Sequence, residues 1–365
     1  MSKLYIGLMS GTSLDGVDAS LVKTDGINDF VSIEDTHLPY PVDLQDAISA
    51  FFYDIDFSIA DLLETEKRLT ELHITATKQL LEKAQTNYKQ ITALGFHGQT
   101  IFHNPNAGTT LQIGNPHLLA QKTGINVVHD FRRRDIALGG QGAPLVPIFH
   151  KLLVRDIEKP VVVINIGGVA NLTYVNEDDL IAFDTGPGNA LIDDTCKKYF
   201  GSNYDESGQI AASGDIDFSI VDKVLNGEYM NLSYPKSLDR NRFKFLEDAL
   251  ESYEPTDIVA TLTYISSATI ADSISLLPKI PTQAFICGGG SKNNQMLEWL
   301  QEILITKHIK CSVKDISALG QINPDYVESQ AFAYLTARFF QNLTSAFPST
   351  TNANKQNICG CLVLA

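Results

Sequence analysis

The feature that most constrains the fold is one arrangement, a strand followed by a glycine-rich turn and a second strand, that occurs twice. In its first copy the apolar run Leu4 to Met9 leads through a polar turn into Val17 to Val22. About 160 residues later, the β-branched run at 161–166 leads through two glycines into Leu172 to Val175. The repeated arrangement predicts two structurally similar halves.

Chain length agrees with a division into two domains. The chain has 365 residues, 44% of them hydrophobic, which favours two domains over one. We place the boundary near residue 157, giving an N-terminal domain of residues 1–157 and a C-terminal domain of residues 158–365, with the last helix free to return to the first domain. Two domains leave room for a ligand cleft between them.

Periodicity locates the remaining elements. Apolar residues at helical spacing predict helices at 58–85, around 190–200, at 263–276 and at Val327–Leu343. Short apolar runs predict strands at Ile91–Phe96, up to Asp184, at Ala284–Cys287 and, at the sheet edge, at Ile358–Leu364. The Ser, Thr and Asn content of Ser345–Gln356 predicts a surface loop.

Charge and targeting signals narrow the class of protein. The chain has 28 Lys and Arg against 43 Asp and Glu, a net charge of -15, which opposes binding to nucleic acid. We find no apolar stretch long enough for a membrane span and no signal-peptide pattern, and therefore expect a cytoplasmic protein. Five cysteines without a CxxC pair argue against a disulfide framework, and Cys359 and Cys361 are expected as buried thiols in the terminal strand.

The first turn, Ser10 to Gly16, combines two glycines, three hydroxyls and an acid between two strands. Backbone amides and hydroxyls in such a turn can converge on an anion, which predicts a phosphate site. An ordinary long hairpin turn is the alternative, because hairpin turns also favour Gly, Ser and Asp. The turn is not a Walker loop, since no Gly-Lys-Ser/Thr follows at the required spacing.

Two later glycine turns have the same ambiguity. Gly167-Gly168 with Asn171 offers a second amide-rich turn, or a tight turn without a ligand. Gly288, Gly289 and Gly290 follow a predicted buried strand and precede a helix. There they permit close approach of the backbone to a flat ligand such as adenosine, although GGGS alone resembles a flexible linker.

Asp184 is the strongest candidate for a catalytic group. It is expected at the end of an apolar strand, before a glycine loop and a helix with Asn189 as N-cap. A carboxylate there can activate a nucleophile as a general base, or it can merely cap the loop.

Two further polar clusters are candidates for contacts with a small polar ligand. His97, Gln99 and Thr100 follow a predicted strand and could contact sugar hydroxyls, although a lone histidine is more often structural. In the second cluster, Asp130 precedes Arg132, Arg133 and Arg134. These arginines could pair with a substrate carboxylate or form a solvated surface turn.

These motifs together resemble a known family. The glycine turns, the acid and the GGG turn look like those of the superfamily of actin, sugar kinases and heat-shock chaperone ATPases. Five strings closely resemble the anhydro-N-acetylmuramic acid kinases: GLMSGTSLDGVDA, GFHGQTIFH, HDFRRRDIALGGQGAPLVP, INIGGVANLT and FDTGPGNALID. The resemblance implies an α/β, two-domain actin-like or sugar-kinase fold with an ATP and sugar cleft between the domains.

The resemblance also implies an activity, cofactors and roles. The activity is conversion of 1,6-anhydro-N-acetylmuramic acid, with ATP and Mg²⁺, to N-acetylmuramic acid 6-phosphate in cell-wall recycling, by a homodimer. Asp184 would be the catalytic acid and Glu328 the magnesium-linked glutamate, while His97, Gln99, Thr100, Asp130 and Arg132 would be on the sugar side. The nucleotide-binding set comprises Gly11, Thr12, Ser13, Leu14, Asp15, Gly16, Val17, Asp18, Gly167, Gly168, Asn171, Gly288, Gly289 and Gly290.

One departure from the superfamily and two rival functions remain open. The superfamily usually has an Asp in its first hairpin where this chain has Gly7, which leaves Asp15, Asp18 or Glu328 as metal-linked candidates. An ordinary sugar kinase would phosphorylate a free hydroxyl without opening a ring. A nucleotide-dependent scaffold of the actin type would hydrolyse ATP without stimulation by any sugar.

Overall fold

The fold is taken from a computed structural model of the chain. It describes residues 1–52, 57–177, 179–238, 240–320 and 322–365, and for residues 106, 240 and 241 the backbone alone. The chain divides into two compact units. The first comprises Met1–Leu152 and Tyr326–Ala365, and the second comprises Leu153–Asp325. The structure thus groups the last forty residues with the first unit, whereas the sequence division kept residues 158–365 together apart from the last helix.

A seven-stranded mixed sheet forms the centre of the first unit's described residues. Its strands are β1 (Lys3–Ser10), β2 (Gly16–Thr24), β3 (Phe30–Pro39), β4 (Ile91–Asn104), β5 (Thr109–Ile113), β6 (Val127–His129) and β12 (Cys361–Val363). Their order is β12-β6-β4-β1-β2-β3, and β5 pairs with β4. The first three strands form an antiparallel meander, and β4 and β6 continue the sheet in parallel from β1.

The second unit repeats this topology. Its strands are β7 (Val161–Ile166), β8 (Val169–Asn176), β9 (Asp179–Pro187), β10 (Gln283–Cys287) and β11 (Ser312–Asp315). Their order is β11-β10-β7-β8-β9, with an antiparallel meander followed by two parallel strands. The shared order confirms the predicted similarity of the two halves and the predicted α/β fold of the actin-like class.

Helices cover the sheets. In chain order they are α1 (Val42–Phe52), α2 (Ile59–Lys83), α3 (Pro116–Thr123), α4 (Arg133–Ala137), α5 (Pro147–Leu153), α6 (Ala190–Phe200), α7 (Phe218–Leu225), α8 (Phe245–Leu250), α9 (Pro255–Ser275), α10 (Asn294–Thr306), α11 (Val327–Phe340) and α12 (Pro348–Thr351). Apolar spacing therefore located α2, α6, α9 and α11 correctly, although α9 begins eight residues before its predicted start. Among the described residues, none of these helices is long and apolar enough to cross a bilayer.

Three local predictions in the first unit are wrong. Strand β4 does not end at Phe96 but continues to Asn104, bending at Gly98 (φ 73°), where its pairing passes from β1 to β5. Ser345–Gln356 is not a surface loop, because it contains α12 and buries Thr351. Of the two cysteines predicted to be buried in the terminal strand, Cys359 is buried but Cys361 is exposed, since β12 lies at the edge of the sheet.

Helix α11 lies unusually close to the first unit's sheet. Gly7 and Gly95 are paired on neighbouring strands beneath it. A Cβ atom on Gly7 would lie 1.8 Å from the carbonyl oxygen of Ser329, and one on Gly95 would lie 2.4 Å from that of Phe332. Glycine is therefore required at both positions, which explains why this chain has no Asp at residue 7.

Candidate functional site

The first turn has a buried anchor and an exposed tip. Leu14 packs into the core with a left-handed backbone (φ 58°), a conformation that costs a non-glycine residue free energy. Asp15 shapes the rest of the turn, because its carboxylate accepts from the hydroxyl of Ser13 (3.0 Å) and the amide of Gly16 (2.9 Å). Thr12 and Ser13 are exposed at the tip. The turn is thus rigid where it meets the core and presents hydroxyls outward, as an anion site requires.

Three hydrogen bonds from neighbouring elements hold this turn. The amide of Tyr40 donates to the carbonyl of Asp15 (3.1 Å), and the side chain of Gln45 donates to that of Leu14 (2.9 Å). From the other side, Gln99 donates to the carbonyl of Gly11 (3.1 Å). The backbone conformation of the turn is therefore fixed by the protein itself.

Gln99 is fully buried and its amide is engaged inside the protein. Its Oε1 accepts from the Tyr40 hydroxyl (3.0 Å), and its Nε2 contacts the carbonyls of Gly11 and Thr100. A side chain in this position joins the turn at Ser10–Gly16 to the strand segment His97–Thr100. We accordingly propose that Gln99 supports the sugar side by positioning it.

His97 is held as a neutral imidazole. Its Nδ1 lies 2.7 Å from the carbonyl of Gly98, and its Nε2 accepts from Nε of Arg132 at 3.0 Å. Burial, and then the Arg132 cation, lower the pKa of His97 well below its usual range. Arg132 also donates to the carbonyl of Gly142 (2.8 Å). The two predicted sugar-side residues are thus in direct contact.

A cavity of about 180 Å³ opens beside this pair in the first unit. Its polar lining comes from several elements: Glu66, His97, Gln112, His129, Asp130 and Arg133. Asp130 has a left-handed backbone (φ 56°), and its carboxylate lies 3.8 Å from the guanidinium of Arg133. Thr100 accepts from Gln112 at 3.2 Å and so borders the same region. The cavity is smaller than a typical pocket for a whole ligand, which measures about 300 Å³ or more.

A buried carboxylate secures the arginine turn. Asp135 accepts from the hydroxyl of Thr351, the side-chain amide of Asn357 and the backbone amide of Gly142, each at 2.8 Å. Its side chain is fully buried. The C-terminal segment therefore packs against the turn that presents Arg132, which is the physical reason that Ser345–Gln356 is ordered.

In the second unit, the start of α6 packs against the second glycine turn. The carbonyl of Gly167 accepts from the amide of Asn189 (2.7 Å), and that of Gly168 accepts from the amide of Gly188 (3.1 Å). Asn189 is the N-cap residue, as predicted, but its side chain makes no capping bond and donates instead to the carbonyl of Ile166 (3.2 Å). The turn is thereby joined to the segment that carries Asp184.

Asp184 does not end its strand, because β9 continues to Pro187. It lies opposite Asn171 on β8, and the next pair is Ala170 with Gly186, so Thr185 is an extra residue in a β-bulge. Bulges re-aim neighbouring side chains and are common near active sites. Asn165 also lies opposite Asn171, so three polar residues form a row across β7, β8 and β9.

The segment at residues 229–238 holds Asp184 on three sides. The carboxylate accepts from the amide of Leu238 (2.6 Å), and the backbone carbonyl of Asp184 accepts from the hydroxyl of Tyr229 (2.7 Å). The backbone amide of Asp184 donates to the carbonyl of Lys236 (2.9 Å). The backbone and the carboxylate of Asp184 are therefore both held by this segment.

The third glycine turn follows β10 directly. Gly288 has φ 77°, and a Cβ there would lie 2.3 Å from Oδ1 of Asn165; one on Gly290 would lie 2.3 Å from the side chain of Ile166. Gly289 has only the amide of Asn189 within 4 Å of such an atom, at 3.6 Å. This turn thus packs closely against the end of β7, in the same unit as Gly167-Gly168.

Carboxylates suited to a hard cation lie at the start of α11 and on β2. The hydroxyl of Ser329 lies 2.6 Å from that of Ser20, which places the first turn of α11, with the half-buried Glu328, over the strand that carries Asp18. Asp18 contacts His37 at 2.8 Å. Within the described residues there is no group of three or more His, Cys, Asp or Glu side chains suited to a metal. Asp18 and Glu328 carry carboxylate oxygens, the ligand type that Mg²⁺ prefers when it binds through one or two carboxylates together with substrate phosphates.

The duplicated sheet order and the glycine turns define a two-domain α/β protein of the actin-like class. Among solved structures, component A of (R)-2-hydroxyglutaryl-CoA dehydratase from Acidaminococcus fermentans aligns over 92% of this chain and 99% of that chain, with 10% identity and a TM-score of 0.48.

Sequence comparison places the chain more narrowly. The family model for anhydro-N-acetylmuramic acid kinase matches residues 3–365. A relative of that name from Rhizorhabdus wittichii is 39% identical over 355 residues, 95% of each chain. Another from Shewanella sp. (strain ANA-3) is 40% identical over 365 residues, 98% of this chain and 97% of the relative. The chain belongs to the anhydro-N-acetylmuramic acid kinase family, which confirms the resemblance of its motifs.

Several side chains of these sites escaped the sequence analysis. Glu66 and Gln112 line the cavity from α2 and β5, and Tyr229 and Lys236 surround Asp184. None belongs to a glycine motif. For Lys236, the available sequence signal was the string SYPKSL, in which this lysine stands between apolar and small residues.

Proposed function

We propose that this protein converts 1,6-anhydro-N-acetylmuramic acid, ATP and water to N-acetylmuramic acid 6-phosphate and ADP, in the recycling of bacterial cell walls. The family match over residues 3–365 is the observation that carries this proposal. The positioned carboxylate of Asp184 and the polar cavity beside His97 are consistent with it.

The nucleotide is assigned to the three glycine turns. The turn at Ser10–Gly16 has an exposed tip with two hydroxyls, Thr12 and Ser13, suited to phosphate oxygens. Gly167 and Gly168 supply a second turn for the phosphates, and Gly288 to Gly290 are assigned to adenosine, because glycine permits close approach of the backbone to a flat ligand. ATP is the phosphoryl donor in this assignment.

The sugar is assigned to the first unit. The neutral imidazole of His97 and the guanidinium of Arg132 are held against each other beside the cavity. Asp130 contributes a carboxylate to that cavity and Arg133 a guanidinium cation. This combination suits the amide and carboxylate substituents that distinguish muramic acid from a plain hexose.

The chemistry requires two coupled displacements. Asp184 takes a proton from a water molecule, whose oxygen bonds to the anomeric carbon as the bond from that carbon to O6 breaks. The released O6 attacks the γ-phosphorus of ATP, and the bond from that phosphorus to ADP breaks. The protein supplies orientation and a general base. The general base alone raises the rate roughly 10²- to 10⁴-fold.

Mg²⁺ is assigned to Asp18 and Glu328, whose oxygens fit a hard cation. When bound, the ion supplies neutralisation of phosphate charge. The family resemblance also leads us to propose a homodimer in the cytoplasm. Light scattering on the purified protein tests the homodimer.

The test is a coupled assay for ADP release with Mg²⁺ and ATP. The anhydro sugar is compared with glucose, N-acetylglucosamine and free N-acetylmuramic acid. Strong stimulation by the anhydro sugar alone is the expected result. Stimulation by a different sugar would show that this other sugar is the substrate. ADP release that no sugar stimulates would favour a scaffold ATPase.

A further inference from the structure

A buried lysine belongs to the segment that holds the candidate catalytic carboxylate. The side chain of Lys236 is 4% exposed, although lysine is almost never buried unless it is paired. Its ammonium group donates to the carbonyls of Tyr229 (3.1 Å) and Met230 (3.4 Å) and lies 4.6 Å from the centre of the Tyr229 ring. The cost of burying this charge calls for an explanation.

The hydrogen bonds of Lys236 close the 229–238 segment on itself. Tyr229 at one end of that segment and Leu238 at the other both contact Asp184, the first at its carbonyl and the second at its carboxylate. The carbonyl of Lys236 accepts from the amide of Asp184. Without the ammonium group, two carbonyls would lose their donor, and the two ends that hold Asp184 could separate.

Charge acts in the same direction as this geometry. Burial lowers the pKa of Lys236, and the attraction of the Asp184 carboxylate opposes that shift. Among the described side chains, Tyr229 also interacts with Asp184, and the guanidinium of Arg242 lies 5.5 Å from the centre of the Tyr229 ring and pairs with Glu228. Burial, and then Asp184, raise the pKa of Tyr229, so it stays a neutral donor.

We infer that Lys236 is a positioning residue for the reaction, whose buried ammonium group closes the 229–238 segment around Asp184. The inference rests on the proposed function, in which Asp184 accepts a proton from water. It adds a second group to the catalytic arrangement, one that touches neither the sugar nor ATP.

The variant Lys236→Met tests this, because it keeps the apolar stem and removes the charge and the donors. We expect kcat to fall roughly ten- to a hundred-fold, since small misplacements of a catalytic group cost that much, while KM for ATP stays within about two-fold. In a plot of kcat against pH, the acidic limb should move to higher pH, because a carboxylate that loses a nearby cation is protonated more easily.

Two further variants separate charge from packing. Tyr229→Phe removes the bond to the backbone carbonyl of Asp184 but keeps the ammonium group, so it should lower kcat less and leave the acidic limb in place. Lys236→Gln can still donate to the carbonyls but is neutral, so it should move the limb as Lys236→Met does. If the methionine variant does not fold, Lys236→Gln is measured in its place.

The outcomes also distinguish this inference from the proposed function. If the wild-type protein shows no sugar-stimulated ADP release, both fail. If the wild type is active and Asp184→Asn is inactive, but the neutral Lys236 variants keep the wild-type kcat and acidic limb, only the role of Lys236 is overturned.

Discussion

The side-chain amide of Gln99 donates to the backbone carbonyl of Gly11 over 3.1 Å, and so joins the predicted sugar-side segment to the predicted nucleotide turn. Tyr40 completes the connection, because its hydroxyl donates to Gln99 and its amide to Asp15. These contacts connect the two predicted sites within the first unit.

Gln99→Leu should therefore impair both substrates. It leaves the carbonyl of Gly11 and the hydroxyl of Tyr40 without their buried partner, and a lost bond of this kind costs about 1–3 kcal/mol. We expect KM for ATP and for the anhydro sugar each to rise roughly ten-fold.

Gln45→Leu is the matched control for that experiment. Gln45 bonds only to the carbonyl of Leu14 in the nucleotide turn, among the contacts described. It should raise KM for ATP alone. Initial rates with each substrate varied would decide, and a Gln99→Leu enzyme with an unchanged KM for ATP would refute the coupling.

Asp184→Asn tests the catalytic assignment. The amide keeps the size of the side chain and can still accept from Leu238, so ATP binding should be nearly intact. Loss of the general base should lower turnover by roughly 10²-fold or more. Single-turnover rates and calorimetric titration with ATP measure the two quantities, and near-wild-type turnover would remove Asp184 from its role.

Gly7→Ala tests the packing of α11. The added methyl group would lie 1.8 Å from the carbonyl of Ser329, so the helix must shift. Overpacking of this kind costs about 3 kcal/mol. Gly201→Ala is the control, because its Cβ meets nothing within 4 Å and only the backbone (φ 66°) is strained, which costs about 1 kcal/mol. Urea unfolding that ranks the two variants equally would contradict this account.

Buried neutral histidines make the stability depend on pH. Burial lowers the pKa of His73 to about 4 and that of His150 to about 3. The unfolded chain binds these protons below about pH 6.5 and the folded chain does not, so stability is full above that pH and falls as the pH falls toward 4. At pH 5 each such histidine lowers the free energy of unfolding by about 2 kcal/mol.

His150→Phe isolates one part of that dependence. Urea unfolding at pH 7.5 and 5.0 gives the difference in the free energy of unfolding for each protein. The variant should show a difference smaller by about 2 kcal/mol. An equal difference in both proteins would show that His150 does not stay neutral when folded.

Local sequence patterns were sufficient for the two hairpins. Runs of apolar residues separated by Gly, Ser and Asp specify a strand, a turn and a strand without reference to the rest of the chain, and both hairpins were located correctly. Asn189 was likewise located correctly as the N-cap residue of α6 from its place after the glycine loop, although its side chain makes no capping bond.

Features that depend on distant contacts were not predictable. Strand β4 continues past Phe96 because Gly98 bends it toward β5, and Ser345–Gln356 is ordered because Asp135 binds it from about 200 residues away. The bulge at Thr185 depends on the register of β8 and β9. Lys236 is buried because its own segment folds against Asp184. The spacing of apolar residues in the sequence does not indicate this burial.

The most direct test of the central claim is proton and phosphorus NMR of the first product formed from the anhydro sugar, ATP and Mg²⁺. If Asp184 activates water on the face opposite the departing O6, the first product carries phosphate on O6 and the inverted anomeric configuration. A product that first appears with the retained configuration, or ADP formed while the anhydro ring stays closed, would contradict the coupled displacement.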